Sequence, residues 1–93
     1  MSDRPYKVTP VFDEVTLPKA LRAAHNTKAG VWGVIRVLDG ALHYFVGGKA
    51  EKGLLLTPDR PGLIEPEQVH RVEPHGSMRM QVEFYDHLPI LPD

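Results

Sequence analysis

Proline and glycine divide this sequence into pieces that are too short for most helices. Nine prolines and eight glycines are spread over 93 residues. The apolar runs between them are about four to eight residues long, which is the length of β-strands. Because both residues interrupt regular structure, their spacing predicts many short strands joined by turns. We expect strands over residues 7–12, 31–38, 41–46, 54–56, 62–65, 69–73 and 78–85.

Several connections between these strands can be predicted from turn residues. The dipeptide Asp39-Gly40 lies between two apolar runs and is a strong hairpin signal, so we expect it to join strands 31–38 and 41–46. Residues 47–53 are expected to form a polar loop, and residues 74–77 a turn. One short helix of one or two turns is expected within residues 16–24, where Thr16 is a plausible cap and Pro18 lies in the first turn.

The last predicted strand alternates clearly between apolar and polar residues. Met80, Val82 and Phe84 should therefore be buried, while Gln81 should be more exposed. Seven or eight short strands at this spacing fit a closed barrel or a jelly roll, which removes exposed strand edges, although spacing alone does not separate these from an OB-fold. A chain of 93 residues can bury one core but not two, which predicts a single domain.

Charge and composition exclude several classes of function. With 11 basic and 12 acidic residues the net charge is -1, so no basic field is present to attract nucleic acid. No run approaches the roughly 20 apolar residues that span a bilayer, and residues 1–9 lack the apolar block of a secretory signal. We therefore expect a cytoplasmic protein without membrane or nucleic-acid partners. Because the chain has no cysteine, only His, Asp or Glu could hold a metal.

Two segments resemble the sequence blocks of cupins. Residues 25–40 begin at His25 and end at Asp39-Gly40, and they resemble the first block, in which histidines precede a strand and a Val-Leu-Glu-Gly type turn. Residues 61–70 resemble the second block, in which a proline-containing turn lies a few residues ahead of a histidine. A narrower set of matching residues comprises His25-Asn26-Thr27-Lys28, Gly30, Trp32, Gly33, Gly40, Glu65-Pro66 and His70-Arg71-Val72-Glu73.

This narrower set resembles a cupin-like family that precedes the methyltransferase domain of TehB-type tellurite-resistance proteins and also occurs as stand-alone YeaR-type proteins. The resemblance covers residues 10–85. It implies an all-β fold, namely a small cupin-type (jelly-roll) β-barrel with at most one short helix near the N-terminus. We expect a single cupin-like domain over residues 1–93, with frayed tails at 1–6 and 88–93. A role in tellurite or another stress response is also implied.

The first block departs from the general cupin pattern at its ligand positions. A full block supplies two histidines and a glutamate. Here His25 is followed by Asn26-Thr27-Lys28, and Gly33 stands where the glutamate would fall. A complete cupin ligand set therefore cannot be transferred to this chain.

The resemblance instead implies a reduced metal site at the open end of the barrel. Its ligands would be His25 and His70, with Glu67 as the carboxylate and Glu65 in reserve. Two imidazoles and one carboxylate suit a divalent ion such as Zn, Fe, Ni or Mn. The alternative is that both histidines only hydrogen-bond to backbone or water. The other histidines, expected to be solvated, are His43, His75 and His87.

Three further residues are candidates for binding a small-molecule ligand. Lys28 lies three positions after His25 and could bind an anionic ligand, although it could also be an ordinary surface lysine. Arg36 interrupts an apolar strand; it either projects into the cavity and pairs with Glu83 or Glu67, or points outward. Trp32 either packs in the barrel or contacts the ligand.

Three functions are compatible with these features. The first is a cupin-like small-molecule or metal-binding protein, with an anionic small molecule as its ligand. The second is a metal-dependent enzyme of the dioxygenase or isomerase type, in which His25 and His70 hold the ion. The third is a non-catalytic dimerisation or interaction module. Because cupin-type domains pair through strand edges, a homodimer is compatible with all three.

Overall fold

The computed structural model describes residues 4–47 and 52–90. Within those residues the fold is mostly antiparallel β-sheet with one short helix, so the all-β class is confirmed. The predicted loop 47–53 falls largely outside the described residues, as do the tail segments 1–3 and 91–93. In chain order the elements are β1 (Lys7–Val8), β2 (Phe12–Asp13), α1 (Lys19–Arg22), β3 (Trp32–Val46), β4 (Lys52–Leu56), β5 (Gly62–Ile64) and β6 (His70–Tyr85).

Two long strands, β3 and β6, form the centre of the sheet. They pair antiparallel from Trp32 opposite Tyr85 to Val46 opposite His70. The other edge of β3 is covered by β4 at one end and β5 at the other, while β1 and β2 pair with β6. The described strands follow the open path β1-β6-β3-β4, so the sheet is not closed into a barrel.

The predicted hairpin at Asp39-Gly40 is wrong. Strand β3 continues through this dipeptide, and the pairing with β6 only shifts register on either side of Asp39. Gly40 has a φ of 73°, and a Cβ there would collide with the backbone carbonyl oxygen of Ser77. A glycine with a left-handed φ occurs in β-bulges as well as in hairpin turns. Because β6 pairs with β3 on both sides, the dipeptide bends a strand instead of reversing it.

The predicted turn at residues 74–77 is wrong for a related reason. These residues lie inside β6, which runs unbroken over 16 residues. Gly76 has a φ of 71°, which is a value that glycine also adopts in turns. Here too the partner strand is long enough to keep its pairing across the irregular residues.

The predicted alternation in the last strand is confirmed at its centre. Met80 and Val82 are buried in the core, whereas Phe84 and Gln81 are both half-buried. Tyr85, on the opposite face from Val82, is also buried, so both faces of β6 are covered at that end. The core cluster consists of Leu17, Ile35, Val37, Leu42, Tyr44, Leu56, Ile64, Val72, Met78, Met80 and Val82.

The helix is a single turn that begins after Pro18, and Thr16 does not cap it. Thr16 instead closes a turn with Asp13, whose carboxylate accepts the backbone N–H groups of Val15 and Thr16, each at 2.8 Å. These hydrogen bonds lower the pKa of Asp13, and the one from the backbone N–H of Thr16 has the largest effect. The turn places Leu17 in the core ahead of the helix. No helix in the described part of the chain is long and apolar enough to cross a membrane.

Candidate functional site

A cavity of about 400 Å³ lies between β1, α1, residues 25–31 and the inner faces of β3, β5 and β6. Most of its wall is hydrophobic because these strands turn their core-facing side chains toward it. The apolar lining residues are Tyr6, Leu21, Val31, Ile35, Ile64, Val72, Met80, Val82 and Phe84. Its volume falls within the roughly 300–1,000 Å³ that is typical of small-molecule sites.

The polar part of the wall is cationic. Two exposed lysines, Lys7 from β1 and Lys28 from the segment before β3, line the cavity. Among the described residues that line it there is no Asp or Glu. The remaining polar lining residues are Thr9, His25, Asn26, Thr27 and His70. The local charge therefore favours an anionic group at this part of the wall.

The segment that carries His25 is fixed by backbone pairing to the start of β6. The N–H of His25 donates to the carbonyl of His70 at 3.0 Å, and the N–H of His70 donates to the carbonyl of His25 at 2.8 Å. Two residues further on, the carbonyl of Thr27 accepts the N–H of Glu67 at 3.1 Å. The Thr27 hydroxyl donates to the carbonyl of Val31 at 2.8 Å. The site therefore rests on hydrogen-bonded backbone although the segment has no long element of its own.

The same pairing brings the imidazoles of His25 and His70 together. Their ring centroids are 4.2 Å apart, with the planes inclined at 60°. Nδ1 of His25 lies 2.9 Å from the carbonyl of Ala23, and Nδ1 of His70 lies 2.8 Å from the carbonyl of Gln68. Because a carbonyl can only accept, Nδ1 carries the proton in both rings. When either ring is neutral, Nε2 is then the nitrogen that can accept a hydrogen bond or bind a metal.

Burial favours the neutral form of His70. The residue is 2% exposed, and removal from water lowers the pKa of its imidazole, as does the neighbouring His25, against the opposing effect of the Gln68 carbonyl. The ring of Tyr44 packs edge-on at 6.0 Å. Burial, helped by the charge of Glu65, raises the pKa of Tyr44 to about 12, and its hydroxyl donates to the carbonyl of Leu63. Tyr44 therefore remains a hydrogen-bond donor.

The carboxylates named from the sequence lie apart from this cavity. Glu65 and Glu67 are exposed, and neither lines it. Residues 65–68 form a tight turn in which the N–H of Gln68 donates to the carbonyl of Glu65, with Pro66 second and Glu67 third at a φ of 62°. This is the arrangement of a type II turn. Within residues 4–47 and 52–90, no three His, Asp or Glu side chains assemble into a metal-binding group.

The candidate ligand-binding residues fall into two groups. Lys28 lines the cavity, whereas Trp32 and Arg36 do not. Arg36 alternates with Ile35 and so lies on the opposite face of β3, where its Nε is 3.1 Å from Oε1 of Glu83. The hydroxyl of Tyr85 donates to the same oxygen at 2.9 Å. Arg36 therefore belongs to a polar cluster on the other side of the sheet.

Sequence reasoning missed the contribution of β1 to the site. Lys7 and Thr9 line the cavity because β1 pairs with β6, where Lys7 lies opposite Phe84 and Val8 opposite Glu83. Nothing local to residues 6–9 indicates which strand they join. Only the long-range pairing places this lysine beside the same cavity as Lys28.

Comparison with curated proteins identifies two relatives that share one name. The chain is 36% identical over 72 residues to the "Probable S-adenosyl-L-methionine-dependent methyltransferase TehB" of Haemophilus influenzae strain Rd, and 35% identical to the protein of the same name from strain 10810. Each match covers 73% of this chain but 25% of the relative. The chain therefore spans about a quarter of the length of these relatives.

Solved structures and family models agree with this result. The crystal structure of TehB from Haemophilus influenzae matches with a TM-score of 0.79 at 30% identity, over 86% of this chain and 30% of that one. A crystal structure of an Escherichia coli K12 protein matches with a TM-score of 0.74 at 21% identity, over 98% of this chain and 93% of that one, which supports the fold alone. The model of the TehB-like domain matches residues 7–82, and the chain belongs to this TehB-like domain family.

Proposed function

We propose that this domain binds a small anionic molecule that has an apolar part. The observation that carries the proposal is the composition of the cavity, which combines a hydrophobic wall with two lysines and two histidines and has no acidic residue among its described lining residues. Burial of the ligand's apolar part supplies most of the binding free energy. The lysines favour anionic ligands over cationic ones, because a cationic head group would be repelled by them and would find no acidic residue to pair with.

The polar residues have distinct parts in this proposal. Lys7 and Lys28 are exposed, so each contributes a modest, salt-dependent attraction to the anionic group. In the neutral form of each ring, Nε2 of His25 and of His70 accepts a hydrogen bond from a hydroxyl or a protonated oxygen of the ligand. Because backbone hydrogen bonds hold both rings, little side-chain entropy is lost when the ligand binds.

The relatives suggest where such a binding module acts. They are named as probable methyltransferases of the TehB type, and this chain matches a quarter of their length. We therefore propose that the domain recognises a small molecule in tellurite or another stress response. In this proposal the domain recognises the ligand and carries out no chemical step.

Ligands that differ only in head-group charge test the proposal. Octanoate, octanol and octylamine share one apolar chain, and calorimetry would compare their affinities for the protein. We expect octanoate to bind most tightly. Lys7→Gln and Lys28→Gln should each weaken octanoate binding roughly two- to fivefold. Lys19→Gln, an exposed lysine of α1 that does not line the cavity, serves as the matched control and should have no effect. Equal binding of octanoate and octylamine would overturn the proposal.

A metal ion held by His25 and His70 is a second candidate. The supporting observation is that both rings use Nδ1 for a backbone carbonyl, which is how metal-binding histidines are commonly oriented. Imidazole nitrogens suit a divalent ion such as Zn, Fe, Ni or Mn, and the remaining positions would be filled by water or by an oxygen of the anionic ligand. A metal-dependent enzyme of the dioxygenase or isomerase type would use the same residues.

Metal analysis tests this second candidate directly. Purified protein is compared with the His25→Ala/His70→Ala double variant, and His87→Ala provides a control for the loss of an exposed histidine. Stoichiometric metal that disappears only in the double variant supports the metal site. Equal metal content in all three proteins contradicts it.

A further inference from the structure

A second pair of histidines lies on the outer face of the sheet, away from the cavity. Leu42 and Tyr44 of β3 are buried in the core, so His43 between them faces outward. On β6 Val72 is buried, and His75, three positions further on, lies on the opposite face. His43 pairs with Glu73, while His75 pairs with Ala41. The two histidines are thus diagonal neighbours on adjacent strands, a separation that long side chains can bridge.

The rings of this outer pair point at each other. Nε2 of His43 lies 2.8 Å from Nδ1 of His75, with ring centroids 4.7 Å apart and planes at 79°. Two ligand nitrogens at about 2.1 Å from one metal ion, at a right angle, lie about 3 Å from each other. The observed separation is therefore within a few tenths of an ångström of the one that an ion requires, and the two rings must also turn so that both lone pairs point at the ion. Each nitrogen binds in the neutral tautomer whose proton is on the other ring nitrogen.

Neighbouring residues contact the ring of His43 and shape the backbone around His75. His43 stacks on Phe45 at 6.1 Å, and the guanidinium of Arg71 lies 4.1 Å from the centre of the same phenyl ring. His75 follows Pro74 and precedes Gly76, whose φ of 71° fixes the bend of β6 at this point.

One carboxylate and two guanidinium groups lie near the outer pair. Glu73, the cross-strand neighbour of His43, lies 2.9 Å from Arg22 and 3.6 Å from Arg71. Because its carboxylate is engaged by these two cations, it is not offered as a third ligand. In the part of the chain that the structure describes, the two imidazoles are the ligands proposed on this face, and water can complete the coordination.

We propose that His43 and His75 form a surface site for one Cu²⁺ or Ni²⁺ ion, with Nε2 of His43 and Nδ1 of His75 in adjacent coordination positions. Imidazole suits both ions, and both accept nitrogen ligands at right angles. The affinity of such sites increases from Zn²⁺ or Ni²⁺ to Cu²⁺. This site is independent of the cavity and of its proposed ligand.

Titration of chelator-treated, tag-free protein with Ni²⁺ tests the site. We expect His43→Gln and His75→Gln each to weaken binding about tenfold or more, since loss of a ligand costs at least as much as loss of a group that orients one. His87→Gln removes another exposed histidine and should leave the affinity unchanged. The His25→Gln/His70→Gln variant should also retain this site, which separates it from metal binding in the cavity.

Electron paramagnetic resonance of the Cu²⁺ complex gives an independent readout. Nitrogen hyperfine structure should indicate two imidazoles in the unsubstituted protein and one in His75→Gln. Because both histidines of this pair have access to solvent, near-ultraviolet circular dichroism should show that these variants remain folded. The proposal is overturned if, in the His25→Gln/His70→Gln background, folded His43→Gln and His75→Gln bind Ni²⁺ as tightly as His87→Gln does.

Discussion

The two histidine pairs of this domain use the same side chain in opposite ways. In the inner pair, His25 and His70 each commit Nδ1 to a backbone carbonyl, which leaves both Nε2 atoms for a bound molecule. In the outer pair, His43 and His75 hydrogen-bond to each other, so their facing nitrogens are both occupied until an ion replaces the hydrogen bond. Each histidine ring has two nitrogens, and the hydrogen-bond partner of one nitrogen determines whether the other is available to a bound molecule.

The pairs also differ in how the backbone supports them. The inner pair is built on a reciprocal backbone bridge between a non-sheet segment and the first residue of β6. The outer pair depends on the register of two long strands next to their bends at Gly40 and Gly76. Substitutions in the backbone bridge and substitutions at the strand bends should thus affect the two pairs unequally.

The largest expected effect comes from the bend that supports the outer pair. Gly40→Ala should destabilise the fold by at least about 3 kcal/mol, because the new Cβ adds a collision with the Ser77 backbone to the cost of a left-handed φ. Gly76→Ala is the matched control, since a Cβ there meets nothing within 4 Å, and it should cost about 1–2 kcal/mol. Urea unfolding measures both variants. Equal losses would show that the bend at Gly40 is not tightly packed.

The next largest effect is a difference in stability between a variant of the inner pair and a variant of the outer pair. His70→Ala should lower the free energy of unfolding by about 2–3 kcal/mol, because it leaves a cavity and removes the hydrogen bond to Gln68. His75→Ala, at an exposed position, should cost less than about 1 kcal/mol. Chemical denaturation of the two variants under identical conditions makes the comparison. A larger loss for His75→Ala would contradict the assignment of His70 to the core.

Acidification should affect stability through the inner pair. The pKa of His70 is lowered by burial from an unfolded value of 6.5, so below pH 6.5 the unfolded chain binds more protons than the folded one. The contribution of His70 to the free energy of unfolding should therefore fall as the pH drops from 6.5 through the lowered pKa, by at most about 1.4 kcal/mol per pH unit. His70→Gln should remove this slope. An unchanged slope in that variant would assign the effect to other groups.

The smallest expected effect concerns the turn beside the inner pair. Glu67 has a left-handed φ of 62° in a position that favours glycine, so Glu67→Gly should stabilise the fold by about 0.5–1 kcal/mol. Glu67→Ala keeps the unfavourable dihedral while removing the carboxylate, and should bring no gain. Thermal unfolding compares the variants. A fall in bound metal in both variants would instead identify Glu67 as a ligand.

The sequence predicted features that depend on neighbouring residues. Alternation correctly placed Met80 and Val82 in the core, and the matched blocks led to His25 and His70, which the structure brings together. The hairpin prediction at Asp39-Gly40 was wrong because the local signal for a positive φ is the same for a turn and for a bulge. The length of the partner strand decides between them, and that information lies more than 30 positions away.

Sequence reasoning missed two contacts that depend on which strands are neighbours. Lys7 reaches the cavity only because β1 joins the edge of β6, and His43 meets His75 only because of the register of β3 with β6. Both histidines were expected to be ordinary solvated residues. No periodicity within either strand could indicate that their rings would meet across the sheet.

The long antiparallel pairing of β3 with β6 has a consequence for the folding rate. Val46 pairs with His70, 24 positions further along the chain, whereas Trp32 pairs with Tyr85, 53 positions away. Closing the shorter loop costs less chain entropy, so we expect pairing to begin at the Val46–His70 end and to advance toward Trp32. A topology dominated by such distant contacts folds slowly, on the order of milliseconds to seconds. Since His25 is bridged to His70, the polar end of the cavity takes shape where this pairing starts, and its hydrophobic wall is completed as the strands join.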